Sequence, residues 1–185
     1  RNPDDAPKAQ GGFAAAVILK EIFKGRDHKQ KGKVADILGI TNEQAKTAIV
    51  TPLLTLPPHK DVKEGLAKLK AQGYKLVSLT NSSNKGVKAQ FESAGLMSFF
   101  DARYSIEDIK IYKPDLRAYE WVLTKLNVKA NEAMMVAAHG WDVAGAKEAG
   151  LQTTFIARPG KTLYPLAKKP DHVVKDLHEL AALLK

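Results

Sequence analysis

The sequence predicts an α/β fold, a parallel sheet wound with helices on both faces, and three observations carry that reading. From Leu56 onward, short apolar runs alternate with stretches of helical spacing. The helical stretches stop at glycines, Gly73, Gly95 and Gly150, the usual residue just past a helix end. The apolar runs, Tyr74-Lys75-Leu76-Val77-Ser78-Leu79-Thr80 and Met134-Met135-Val136-Ala137-Ala138, lack the strict polar alternation of a half-exposed strand and suit strands covered on both faces. Such alternation implies right-handed βαβ units.

In chain order, Pro57-Pro58 opens a helix on which Val62, Leu66 and Leu69 recur, ended by Gly73. The run to Thr80 is the first strand of this series. Val87, Phe91 and Ala94 mark a second helix, stopping at Gly95. A third follows Pro114, with Asp115 as its N-cap and Tyr119, Val122 and Leu126 on one face. The strand ending at Ala138 comes next, then a helix from Asp142 to Ala149. Thr153-Thr154-Phe155-Ile156-Ala157 and His172-Val173-Val174 read as two further strands. Asp176 caps a last helix, with Glu179 in capping-box position. Before Leu56 the character differs: Phe13 to Phe23 and Thr41 to Leu54 read as helices joined by a basic stretch, Gly25 to Gly32. Three segments follow: a polar N-terminal one (1–12), a partial helical cap (13–55) and the α/β core (56–185). Apolar cap positions such as Val17, Ile18 and Ile22 are expected to pack on residues outside the given sequence or on a second subunit, as in a homodimer.

Composition narrows the function. The 185 residues are 44% hydrophobic and 26% charged, with no Cys, 29 Lys+Arg against 20 Asp+Glu and a net charge of +9. The apolar fraction excludes a disordered chain. The absence of Cys removes disulfides, thiolate nucleophiles and Cys-ligated zinc. No apolar run approaches the ~20 residues of a membrane helix, and the opening residues lack a signal-peptide core, so a cytoplasmic protein without membrane partners is expected. The cations are scattered except from Lys20 to Lys33, where aromatic interleaving is lacking. A solvated basic surface is expected there rather than nucleic-acid binding.

In a doubly wound sheet the chemistry sits at the carboxyl ends of the strands, which selects three places. Thr80-Asn81-Ser82-Ser83 offers hydroxyl and amide groups at a helix start, either an anion site or a turn with an N-cap. Lys113, held extended by Pro114, can reach over the strand ends. His139-Gly140-Trp141-Asp142 brings a carboxylate that could orient Lys113 or a water, and a histidine able to act as a base.

Taken in order, Leu79-Thr80-Asn81-Ser82, then Tyr112-Lys113-Pro114, then Ala137-Ala138-His139-Gly140-Trp141-Asp142, and Arg158-Pro159-Gly160, resemble the haloacid dehalogenase superfamily and most of all its type II L-2-haloacid dehalogenases. The resemblance runs from about Phe13 to the C-terminus. It implies a Rossmann-like core under a small helical cap and a metal-independent hydrolase with no cofactor. It also implies roles: Thr80 and Asn81 contact the substrate carboxylate or the nucleophile, Lys113 balances the nucleophile's charge, Asp142 positions Lys113 and the hydrolytic water, and Tyr119 lies near the site. His139 and Ala137 stand where well-studied members carry Asn and Ser. The family's nucleophile is an Asp ending the first, central strand. Asp4, Asp5 and Asp27 follow polar residues and do not match it. The central strand, its Asp and the halide-receiving cap Arg are therefore expected outside the given sequence. The implied reaction converts a short L-2-haloalkanoic acid to a 2-hydroxy acid through an ester intermediate. Alternatives are a superfamily phosphatase, disfavoured because Ala138 stands where a Mg²⁺-binding Asp would, and a non-catalytic binding protein.

Overall fold

The computed structural model describes residues 16–19, 42, 44, 51, 52 and 54–185. Its elements run β1 (Ala16–Leu19), α1 (Val62–Ala71), β2 (Lys75–Thr80), α2 (Asn84–Ala94), β3 (Ala102–Ser105), α3 (Leu116–Leu126), β4 (Ala133–Ala137), α4 (Gly140–Glu148), β5 (Gln152–Ile156), β6 (His172–Val174) and α5 (Leu177–Leu183). The strands form one sheet in the order β3-β2-β1-β4-β5-β6, every neighbouring pair parallel. The chain winds outward one way from β1 to β3 and the other way from β4 to β6. The crevice between β1 and β4 is therefore the place where such a sheet opens a site.

Each face of the sheet carries its own apolar core. Val17, Leu76, Met134 and Ile156 face α1, α2 and α5. Ala16, Ile18, Val77, Met135 and Phe155 face α3 and α4. Successive residues of a strand point to opposite faces, so strands buried on both sides need the continuous apolar runs visible in the sequence. The helix ends follow local chemistry. Ser83 accepts the N–H of Gly86 at 3.1 Å and Asp115 that of Arg117 at 3.0 Å. Asp176 accepts from Glu179 at 2.9 Å, while Glu179 reaches back to the N–H of Lys175 at 2.8 Å, one residue before the cap itself. Helix α2 ends on Gly95 at φ +64°, and α3 ends on Asn127 at φ +54°, where a short polar side chain takes the role of glycine.

Three expectations need correction. The central strand belongs to this chain: Ala16–Leu19 lies between β2 and β4, in register with Lys75–Ser78 and Ala133–Val136, where a helix over Phe13 to Phe23 was expected. A short apolar run does not distinguish a buried strand from a buried helix by periodicity. Two flanking strands whose N–H and C=O groups require partners decide it. Val17 and Ile18 are consequently fully buried in the sheet and face no second subunit. Strand β3 has no counterpart among the expected elements. It is an edge strand of mixed sequence, Ala-Arg-Tyr-Ser, paired on one side only. Finally, α4 begins at Gly140 rather than Asp142. Gln44, Thr51, Pro52 and Leu54 have helical backbone; the rest of the expected cap, with Ile22, Asp4, Asp5 and Asp27, lies outside the described residues. Among those described, no helix is long and apolar enough to cross a membrane.

Candidate active site

The sheet's carboxyl edge gathers the candidate residues from three connections. β2 ends in Thr80 and leads through Asn81 into α2. The segment after β3 returns across the strand ends to Lys113 and Pro114, joined by a cis peptide bond. β4 ends at Ala137 and leads through His139 into α4, placing Asp142 in the first helical turn.

Lys113 and Asp142 form an ion pair with Nζ and Oδ2 2.8 Å apart, both side chains fully buried. The same ammonium donates to the carbonyl of Leu79 at 2.8 Å, anchoring it on the end of β2. The other carboxylate oxygen, Oδ1, accepts from the hydroxyl of Tyr119 at 2.7 Å, and that hydroxyl lies 3.1 Å from the main-chain oxygen of Asp142. Burial, reinforced by the Asp142 charge beside it, pushes the phenol far above its ordinary range, so Tyr119 is a fixed donor at any ordinary pH. A buried carboxylate held this way keeps its charge only through close, saturated contacts.

The close approach of these parts depends on Gly145. A Cβ there would sit 2.7 Å from the Pro114 Cβ, 2.9 Å from its carbonyl oxygen and 2.9 Å from the Tyr119 hydroxyl. Only glycine lets α4 lie against the Lys113–Pro114 segment and Tyr119.

Asn81 holds the Lys113 main chain at both ends, donating from Nδ2 to the carbonyl at 3.2 Å and accepting the N–H on Oδ1 at 3.1 Å. Thr80 is buried, and its hydroxyl accepts the N–H of Ser82 at 3.0 Å. The hydrogen bonds of both residues thus position the loop. His139 occupies the N-cap of α4, and its carbonyl accepts from Asp142 and Val143 at 3.0 and 3.2 Å. Its ring lies 5.6 Å from that of Trp141, centroid to centroid, and its Nε2 is 3.2 Å from the ammonium of Lys161. An ammonium only donates, so in this contact Nε2 is the acceptor. This geometry engages the lone pair that a general base at Nε2 would use.

Lys113, Asp142 and Tyr119 therefore converge in one cluster, Asn81 and Thr80 support it, and His139 stands on its rim. The sequence reading did not single out Lys161. The available signal was Pro159-Gly160, a turn pair placed just past the end of a strand.

A second buried ion pair lies on the opposite face of the sheet. The guanidinium of Arg158 meets the carboxylate of Asp61 through two hydrogen bonds of 2.8 and 2.7 Å, and Asp61 also accepts the N–H of Leu177 at 2.9 Å. Burial pushes the Asp61 carboxyl up, but Arg158 and the Leu177 N–H outweigh it and hold it below the usual carboxylate range. This pair ties the start of α1, the end of β5 and the start of α5 together.

The sequence model of the family described as haloacid dehalogenase-like hydrolase matches residues 10–156. The chain is 30% identical over 142 residues to (S)-2-haloacid dehalogenase 2 of Pseudomonas sp. (strain CBS-3), covering 77% of this chain and 62% of that protein. It is 33% identical over 139 residues to (S)-2-haloacid dehalogenase 4A of Burkholderia cepacia, covering 75% and 60%. Among solved structures, the L-2-haloacid dehalogenase of Xanthobacter autotrophicus with chloropropionic acid covalently bound superposes with a TM-score of 0.76 at 25% identity, over 83% of this chain and 73% of that one. The phosphatase of Thermococcus onnurineus shares the fold, with a TM-score of 0.68 at 24% identity, over 81% of this chain and 68% of that one. The chain spans about three fifths of the length of the curated relatives it matches.

Proposed function

The chain belongs to the haloacid dehalogenase-like hydrolase family, and from that premise we propose that it is the larger part of an enzyme that replaces the halogen of a short L-2-haloalkanoic acid by hydroxyl. The observation that carries this reading is the buried Lys113–Asp142–Tyr119 cluster at the crevice between β1 and β4. A cation fixed there, hydrogen-bonded and shielded from water, favours an ionised carboxylate beside it.

In the proposed reaction a carboxylate oxygen attacks C2 of the substrate from the face opposite the halogen. The carbon–halogen bond breaks, halide leaves with the bonding electrons, and an ester joins the enzyme to the inverted carbon. Water then adds to the carbonyl carbon of that ester. The acyl–oxygen bond breaks, a proton passes to solvent, and the carboxylate is restored with release of the 2-hydroxy acid. Lys113 steadies the attacking carboxylate and Asp142 steadies Lys113, with Tyr119 holding Asp142 in place. Neither step needs a metal or organic cofactor.

In this reading the nucleophile is an Asp at the carboxyl end of the central strand. β1 ends at Leu19, and Lys20 and Glu21 follow it, so the Asp is assigned to residues outside the given 185.

The test is chloride release from L-2-chloropropionate. The 185-residue chain, its mass verified, should release none. The longer protein carrying the Asp-bearing strand should release one chloride per D-lactate formed, insensitive to a chelator. Turnover by the short chain, or none by the longer protein, refutes the proposal; chelator-sensitive hydrolysis of a phosphomonoester by the longer protein would favour a phosphatase.

A further inference from the structure

We propose that Lys161, steadied by His139, is the residue that receives the substrate's carboxylate and so restricts the site to anionic substrates. This inference rests on the 2-haloacid reading and names a binding group for it.

Lys161 is held by a chain of local constraints. Arg158-Pro159-Gly160-Lys161 forms a tight turn: the N–H of Lys161 donates to the carbonyl of Arg158 at 3.0 Å, and Gly160 has φ +74°. Pro at the second and Gly at the third position are the residues that a type II turn demands. The first residue of the turn is fixed by the two hydrogen bonds of Arg158 to Asp61. The residues after the turn press on the start of α4. A Cβ on Gly140 would lie 2.5 Å from the N of Tyr164, 2.6 Å from the O of Thr162 and 2.8 Å from the C of Leu163, all backbone atoms unable to yield. The turn is thus locked between Asp61 and Gly140, and Lys161 projects from it to the ring of His139, one helical turn ahead of Asp142.

The charges point the same way. Lys113 is fully buried and paired with Asp142. Asn81 and Thr80 bind the main chain of Lys113 and Ser82. Lys161, only partly buried, has an imidazole as its partner, and among the described residues no carboxylate lies within ion-pair distance of it. A half-buried ammonium facing an imidazole attracts an anion, because its hydration is reduced and, among the described residues, no carboxylate pairs with it. The ring fixes where the ammonium stands. A carboxylate of the substrate supplies the missing charge.

The probes are D-lactate, the product the proposed reaction leaves, and its neutral amide, D-lactamide. Binding to the full 185-residue chain is followed by the ring resonances of His139, which requires no turnover. D-lactate should shift them saturably and D-lactamide should not. Lys161→Met should weaken D-lactate binding about ten-fold, the loss expected for a partly exposed charged hydrogen bond. Lys161→Arg should stay within about three-fold of the parent. Wild-type affinity in Lys161→Met, equal binding of amide and acid, or no shift with either probe overturns the proposal. Chloride release by the longer protein is read separately. Lys161-dependent lactate binding without haloacid turnover keeps this subsite and removes the dehalogenase reading; turnover with lactate binding indifferent to Lys161 does the reverse.

Discussion

Asp61 and Arg158 meet as carboxylate and guanidinium through two hydrogen bonds, whereas Lys113 and Asp142 meet through one, a point charge against a single oxygen. Both pairs are buried, one on each face of the same sheet, and both would be costly to break. Their difference lies in what else each ion touches. The Arg158–Asp61 pair, completed by the Leu177 N–H, joins three elements at a rigid, planar junction, the geometry for which guanidinium is suited. The Lys113–Asp142 pair is held by Leu79 and Tyr119 at the crevice where the winding of the sheet reverses. An ammonium there is a compact cation that acts on whatever charge stands beside it. The first pair organises the fold and, through Pro159-Gly160, aims Lys161. In the proposed function the second supplies the cation beside the attacking carboxylate.

This contrast can be tested by substitution, in order of expected effect. Lys113→Met should be the most damaging, because it strands the Asp142 carboxylate in an enclosed place. Equilibrium urea unfolding should show a loss of about 3–5 kcal/mol, and a loss under about 1 kcal/mol would mean that the charge of Asp142 is not held as described. Arg158→Lys keeps the charge opposite Asp61 but gives up the two-pronged contact. Its expected cost is about 1–2 kcal/mol by the same measurement, and a cost matching that of Lys113→Met would erase the distinction between the two pairs. The smallest effect is on pH dependence. Asp61 is held below its ordinary value, so its contribution is complete above the unfolded value of about 4 and is lost as pH falls through the lower folded value. The stability gap between the parent and Arg158→Lys should be level at neutral pH and shrink below about pH 4; a gap that persists at about pH 2 would show that the Asp61 charge does not sustain it.

Much of the core was legible because its signals are local. The helix holding Leu66 and Leu69, the buried strands at Leu76 and Met135, and the caps at Asp115 and Asp176 each follow from spacing and from side chains within a few residues. The sequence also placed Lys113 and Asp142 at strand ends, and the resemblance paired them. The edge strand Ala102–Ser105 escaped because edge strands carry no strong apolar run. The grip of the Asn81 amide on the main chain of Lys113, a partner thirty-two residues away, is likewise something that no local pattern reveals. Lys161 escaped for the same reason, since its meaning depends on a histidine twenty-two residues earlier.

The sequence alone determined the class of the fold, the placing of its turns and caps, and the residues able to carry charge at the strand ends. These depend on interactions between near neighbours in the chain, whose geometry the backbone fixes in advance. Tertiary structure alone decided that Ala16–Leu19 is the central strand. It also decided that the Asp142 carboxylate is shared between Lys113 and Tyr119, and that the turn after β5 directs Lys161 to His139. An apolar run can satisfy either a helix or a strand, and a charge can face solvent or a partner. Only the assembled sheet, with unpaired backbone edges to fill and water excluded from its crevice, makes one choice lower in free energy than the other.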